Sequence, residues 1–409
     1  MPRFQNSRAL RTAGLAPLLS SLAAACFASD APPRVANPDR PVNGVATCSL
    51  DELWRRGGEQ DELFFGLVVQ ACAAPTGEIF LLDAQLNEVL VLSPAGDLLR
   101  TIGREGEGPG EFRGAGDLLL MPEGTVGIVQ RMPGAIVLMA PDGVPAGTVL
   151  PGDPTTGGRD FLSGARAAAE GLVLSGAHMT RTDKGRSRRS FISLYGLDGI
   201  ERTEYIGQDE VFDYSARGFK EADQYFPGEG HWDVAPDGRV FVATARDEYA
   251  ITVFTPDGAP VAMFSREYES WPRTREILDR LDAGWRSGRR FARFGVEQEF
   301  AAYEPDILRL EIRDGELWVL PSRGIRDQLP GVLQTWDVFT AEGVFDRQVS
   351  LQAPGDGTRD RVILLDAARA LVVSGFQDAR DAFTGAGGDD TEDDLEFATP
   401  IEVIAYAIR

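Results

Sequence analysis

The stretch Pro75-Thr76-Gly77-Glu78-Ile79-Phe80-Leu81-Leu82-Asp83, then Asn87-Glu88-Val89-Leu90-Val91-Leu92, then Ser93-Pro94-Ala95-Gly96-Asp97 and Leu98-Leu99-Arg100-Thr101-Ile102-Gly103, decides how the rest of the chain reads. Short apolar runs alternate with Gly, Pro, Asp and Asn, and no run is long enough for a stable helix. That pattern predicts short strands joined by tight turns. With residues 66–71 in front, the unit is a four-stranded antiparallel sheet of about 45 residues.

Similar units follow. The second spans 114–150, with Val126-Gly127-Ile128-Val129 and the turn Pro141-Asp142-Gly143. A weaker third carries Phe191-Ile192-Ser193-Leu194-Tyr195. The fourth carries Val240-Phe241-Val242 and Thr255-Pro256-Asp257-Gly258, the fifth Leu317-Trp318-Val319-Leu320, and the last ends in 401–408. The first unit resembles an NHL-repeat blade, through Gly77, the strand ending in Asp83, Asn87, the Pro94-Ala95-Gly96-Asp97 turn and the link Gly108-Pro109-Gly110-Glu111-Phe112. The resemblance covers 66–409 at blade level, with the full motif in the first blade only. It implies an all-β, six-bladed β-propeller like those many bacteria export, a group without a common activity. The last blade lacks its outermost strand, and an open edge is a liability. The expectation is that residues 45–54, or Leu63-Phe64-Phe65, pair with 401–408 to close the ring.

The N-terminus reads as a targeting segment, residues 1–25. Arg3, Arg8 and Arg11 precede an apolar run over 15–25 that is too short to span a bilayer. Ala23-Ala24-Ala25-Cys26 resembles a lipoprotein processing site, which would lipidate Cys26; ordinary cleavage after Ala25 or Ala28 is the alternative. Residues 26–43, rich in Pro, would then be a flexible tether to a 44–409 propeller. The expected location is the periplasm or outer envelope, with membrane contact only through that anchor. The net charge of -22 opposes nucleic acid as a partner. Cys48 and Cys72 remain, and an oxidising compartment would let them form a disulfide.

In such blades the first-to-second and third-to-fourth turns share one face. These read as short, at Pro94-Ala95-Gly96-Asp97, Pro141-Asp142-Gly143 and Pro256-Asp257-Gly258. The other face collects the long connections, read as 104–113, 152–162, 178–190, 207–229, 266–304, 322–333 and 377–399. A rigid scaffold with long loops at one end suits binding a protein or an extended ligand, with the chain expected to be a monomer. Within 266–304, Ile277, Leu278, Leu281 and Trp285 recur at helical spacing, predicting a helical insertion between blades four and five. Its arginines either hold an anionic ligand or, the favoured reading, pair with the chain's own acids. The acidic loop 377–399 contains Asp389-Asp390-Thr391-Glu392-Asp393-Asp394, whose hard oxygens could take calcium, although the positions do not follow an EF-hand. A solvated charged segment is the preferred reading.

Candidate ligand-binding residues lie where second strands or links reach the loop-rich face: Asp83, Arg104, Arg113, Arg131, His178, His231, Arg246 and Arg323. Converging guanidinium groups favour carboxylate, sulfate or phosphate; the competing reading is that they clamp neighbouring blades. A metal-dependent hydrolase of the lactonase or esterase type is the alternative function. However, Asn87 is the only blade asparagine, zinc catalysis normally takes three protein ligands, and the chain has only His178 and His231. No Gly-x-Ser-x-Gly elbow is present. No catalytic residue and no cofactor is assigned.

Overall fold

The computed structural model describes residues 32–152, 159–183, 185–213, 218–287, 297–384 and 400–409. Residues 1–25, read as a targeting segment, Cys26 and the acidic run 389–394 lie outside them. The described chain is mostly β. Its first sheet is Val68–Ala73, Ile79–Asp83, Glu88–Leu92 and Leu98–Ile102, each strand antiparallel to the next. The same four-strand meander recurs in later sheets whose first strands are Ala115–Leu120, Arg159–Ala168, Trp232–Val234 and Ile307–Arg313. A last group contributes Arg361–Leu364, Arg369–Ser374 and Glu402–Ile408.

Two N-terminal strands complete the edges. Strand β1 (Arg34–Asn37) pairs in parallel with the outer strand Pro260–Arg266 of the fourth sheet. Residues 34–37 of the expected flexible tether over 26–43 are therefore a paired strand, and 26–31 lie outside the described residues. The exposed edge of that sheet offers unpaired backbone groups, and Asn37 fixes the strand there. Its side-chain amide donates to the Ser265 and Gly343 carbonyls, and its oxygen accepts from the Phe345 amide at 2.8 Å. Strand β2 (Val45–Gly57) does two jobs. Val45–Ser49 runs parallel to Phe345–Gln352 of the fifth sheet, and Leu50–Gly57 pairs antiparallel with Glu402–Ile408. Beyond that pairing, Trp54 donates its indole N–H to the Pro94 carbonyl, and Arg56 bonds Gly96 and Asp97 in the first sheet's hairpin turn. Gly96 has a φ of 85°, and a Cβ there would lie 2.6 Å from the Trp54 ring, so both the turn and the close approach demand glycine.

Packing follows the sheet order. One apolar cluster joins the first and second sheets through Phe80, Leu82, Val126 and Ile128; others join second to third, third to fourth, fourth to fifth, and fifth to sixth. A further cluster returns from the sixth to the first, through Leu371, Val373 and Val403 against Val68, Leu81 and Leu90. Each large side chain buried in these layers contributes ~1.5–3 kcal/mol of transfer free energy. First strands of neighbouring sheets also touch along the inner edge. This is a propeller-type arrangement.

In an antiparallel meander the two ends of the sheet receive alternate connections. At one end they are short: 74–78, 93–97, 121–125, 140–144, 235–239, 255–259 and 314–315. The other end holds 103–114, 267–306, 322–331, 353–360 and 375–401. The connection 267–306 carries helix α1 (Arg275–Ser287), on which Ile277, Leu278, Leu281 and Trp285 are half-buried. The short helix α2 (Arg323–Arg326) and helix α3 (Phe376–Thr384) also lie at this end.

Two expectations are corrected here. Residues 178–190 are not a loop: Gly171–Thr182 and Gly185–Tyr195 form one long hairpin. Its polar outer half is held by the next strand, where Arg188 pairs with Glu210 at 2.5 Å and Arg189 with Glu204 and Asp209. Cys48 and Cys72 are both free. Cys48 packs against the cluster of the fifth and sixth sheets, whereas Cys72 packs against the second sheet and directs its thiol at the Leu118 carbonyl, 3.4 Å away. Burial pushes the Cys72 thiol up to about 12, so it stays a neutral thiol.

Candidate functional site

First strands are the natural place to look, because they converge. Each sheet contributes a polar side chain from its first strand: Gln70, Asp117, Arg166, Asp233, then Arg309, Glu311 and Arg313, and finally Arg361. Arg166 sits between two acids. Its Nη1 lies 2.8 Å from Asp117 and its Nε 3.0 Å from Asp233, while the guanidinium stacks over Trp232. Asp117 also accepts from the Gln70 amide at 3.0 Å, and Asp233 from the Ile312 N–H at 2.6 Å. Burial disfavours the Arg166 cation, but the two carboxylates outweigh it and raise its pKa. Burial also raises the Asp233 pKa, with Arg166 and the Ile312 N–H opposing it.

The fifth and sixth sheets are balanced differently. Glu311 is 2.5 Å from Arg313 and 3.5 Å from Arg309. Burial works against its charge, yet Arg313 and Arg309 hold its pKa below the ordinary value. Arg309 donates to the Val362 carbonyl at 3.1 Å and Arg313 to the Leu364 carbonyl. Arg361 has no acid: among the described residues it forms no ion pair, and its shielded Nε has no hydrogen-bond acceptor. Its guanidinium lies 5.1 Å from the Phe376 ring. Burial, and then the nearby Arg309 cation, push its pKa down to about 10. Four arginines therefore face three carboxylates along the inner edge of a chain whose overall charge is -22.

Among the described residues, no hydrogen bond or ion pair joins the residues singled out from sequence to one another. Asp83 is fully buried and caps the entry to the first sheet, accepting from the Gly66, Leu67, Gln85 and Leu86 amides. Arg104 pairs with Glu111, and Arg113 with Glu105 and Glu107, all within one exposed link. Arg131 lies flat on Gly116, where a Cβ would be 2.0 Å from its Nε, and pairs with Glu229. His178 bonds Asp160 at 2.6 Å and stacks on Phe191. The His231 ring sits edge-on to Tyr225 with neither nitrogen bonded to a described residue, and burial lowers its pKa. Arg246 is 6 % exposed and bridges Glu221, Asp247 and the Tyr303 carbonyl. Arg323 pairs with Glu269 and Asp327 over Trp271. Each arginine among them is paired with one or more of the chain's own acids.

The arginines of the long insertion behave likewise. Arg273 holds Glu221 at 2.6 Å and Glu304 at 3.1 Å, and Arg326 holds Glu304 from the other side. On α1, Arg275, Arg280 and Arg286 pair with Asp279, Glu276 and Asp282. Arg289, Arg290 and Arg293 lie outside the described residues.

What the sequence reading missed is the inner-edge set. A signal was present: each first strand carries a charge or amide inside an otherwise apolar run, as in Ala165-Arg166-Ala167, Trp232-Asp233-Val234 and Leu310-Glu311-Ile312. Polar residues at such positions require partners across sheets, a requirement that points inward rather than to the loops. Among the described residues, no group of three or more His, Cys, Asp or Glu side chains could hold a metal ion. A surface cleft bordered by Arg55, Arg56, Gly58, Ser374 and Glu402 shares no residue with the inner-edge set.

Repeated four-stranded meanders with converging first strands define a propeller-type protein. No family model and no curated protein matches the sequence. Among solved structures, the chain is similar to a protein of Bacteroides fragilis described as exported, at 12% identity and a TM-score of 0.45, covering 92% of this chain and 98% of that one. It is similar to regucalcin from Agrobacterium tumefaciens, a calcium-binding protein, at 12% identity and a TM-score of 0.41, over 90% and 96% of the two chains. Virginiamycin B lyase from Staphylococcus aureus follows at 11% identity and a TM-score of 0.38, over 78% and 81%. At these levels the ligands and activities of those proteins are theirs alone.

Proposed function

We propose that this chain is an exported, six-bladed propeller of the NHL-like kind that works as a binding module. Its ring is closed where β2 supplies the outer strand of the last blade, a reading supported by the apolar cluster that returns from the last sheet to the first. Export rests on the leader-like sequence over 1–25, with Cys26 as the lipid attachment point. The ligand, a protein or an extended molecule, seats on the face that carries the long connections. The observation that carries this reading is that those connections fall at one end of sheets whose first strands carry charged side chains bonded from sheet to sheet. A rigid scaffold with elaborated loops at one end is a common way to build a receptor surface. The hydrolase alternative has no observation in its favour among the described residues.

The test is a footprint. The protein is incubated with cell-envelope extract, and backbone amide exchange is compared with the protein alone by mass spectrometry. Protection is expected in the connections 103–114, 322–331 and 353–360. Protection confined to the short turns 93–97, 140–144 and 255–259, or none at all, would contradict the proposal.

A further inference from the structure

We propose that the loop-rich end of the inner edge, between the last sheet and its neighbour, is an oxyanion site built on Arg361 with Arg309 and Arg380. The inference deepens the binding reading above, since it places an acidic group of the ligand at the mouth already assigned to it.

Arg361 opens the first strand of the last sheet, immediately after the connection 353–360, so it stands at the loop-rich end. Arg309 lies near the corresponding end of the preceding sheet's first strand, and its guanidinium reaches across to the carbonyl of Val362, the residue next to Arg361. Arg380 is on α3, in the connection 375–401, and is exposed with no ion pair among the described residues. The Arg309 and Arg380 charges both act unfavourably on Arg361, while Asp117 and Glu311 oppose them from a distance without bonding to it. Like charges gathered this way, one of them with a shielded and unbonded Nε, cost free energy unless an anion joins them.

Among the described residues, the acids that could neutralise the group are engaged elsewhere. Asp360 accepts from the Asp356 and Gly375 amides. Asp378 is held by Arg359, and Asp381 accepts from the Gln377 amide. Glu311 is shared between Arg313 and Arg309, and Asp117 between Arg166 and Gln70. Phe376 and Trp336 cover one face each of the Arg361 and Arg309 guanidinium groups, leaving their edges as the donors. Planar guanidinium edges match the oxygens of carboxylate, phosphate or sulfate. The group recognised is thus an oxyanion, whether an organic acid or a phosphate or sulfate ester.

The experiment is a melting-temperature titration of the mature protein with sodium phosphate, sulfate or acetate, each replacing chloride at constant ionic strength. Saturable stabilisation by at least one of the three is expected for the wild type, and the strongest arm identifies the source chemistry. Arg361→Gln should lose at least ten-fold in apparent affinity, whereas Arg239→Ala, in the short turn 235–239 where Arg239 pairs with Asp237, should leave it unchanged. No saturable response in the wild type, or an unaltered one in Arg361→Gln, overturns the proposal. Should Arg361→Gln not fold, selenate soaked into wild-type crystals replaces it: an anomalous peak within hydrogen-bond reach of Arg361 supports the site, and its absence refutes it. Failure here would leave the amide-exchange footprint free to succeed with a ligand that carries no oxyanion.

Discussion

Arg166 and Arg361 occupy the same kind of position, in the first strand of a sheet with the guanidinium at the inner edge, and their surroundings are opposite. Arg166 has two carboxylates and a tryptophan face. Arg361 has an aromatic face, cationic neighbours and, among the described residues, no carboxylate paired with it. The first is a rivet: its cation is matched by a carboxylate on either side, so it ties the second, third and fourth sheets together and has no unmatched positive charge to offer a ligand. The second is a standing demand for negative charge. A charged residue in a propeller interior is therefore read by its partners and not by its presence.

The largest effect should come from breaking the rivet. Arg166→Gln leaves Asp117 and Asp233 facing each other without a cation, and removing one partner of a buried pair typically costs about 3–5 kcal/mol. Urea unfolding should show that loss; a change below ~1 kcal/mol would mean the network is incidental. Glu311→Gln sharpens the comparison by making the fifth sheet resemble the sixth. It strips Arg309 and Arg313 of the only carboxylate paired with them among the described residues, with an expected loss of about 2–3 kcal/mol. Added sulfate should restore part of that stability, and a thermal melt with and without sulfate reads it.

Arg361→Gln should cost nothing in chloride buffer and can gain up to ~1 kcal/mol, because the substitution removes an uncompensated charge. The pH dependence has a definite sign. The folded-state pKa of Arg361 is depressed to about 10, so the native state is penalised while the group is charged and relieved as it deprotonates. Above about 10 the wild type should gain stability relative to the variant, measured as the difference between their unfolding midpoints. The smallest effect belongs to the exposed link. Arg104→Ala with Arg113→Ala removes solvent-screened pairs and should shift stability by no more than ~0.5 kcal/mol.

Much of the fold was legible because period-two apolar runs and Gly-containing turns are local signals. Pro94-Ala95-Gly96-Asp97 announces its hairpin, and Gly96 is needed both for its φ and for Trp54 above it. Strand β1 was not legible, since a proline-flanked segment becomes a strand only when a distant sheet edge accepts it. The outer part of the 171–195 hairpin, residues 178–190, reads as a loop because it is polar; the pairing of Arg188 and Arg189 with 204–210 is what makes polar residues strand-compatible there. The candidate site was legible in residue type but not in place. Arginine chemistry was anticipated, yet Arg131, Arg246 and Arg323 each sit beside acids supplied by remote segments. Which arginine lacks such an acid depends on those long-range contacts.

The central claim is that compensation, not charge alone, separates the two inner-edge arginines. Urea unfolding of Arg166→Gln and Arg361→Gln, side by side in one chloride buffer, tests it most directly. The account predicts that the first variant is less stable than the second by about 3 kcal/mol or more. Equal losses in the two would contradict it.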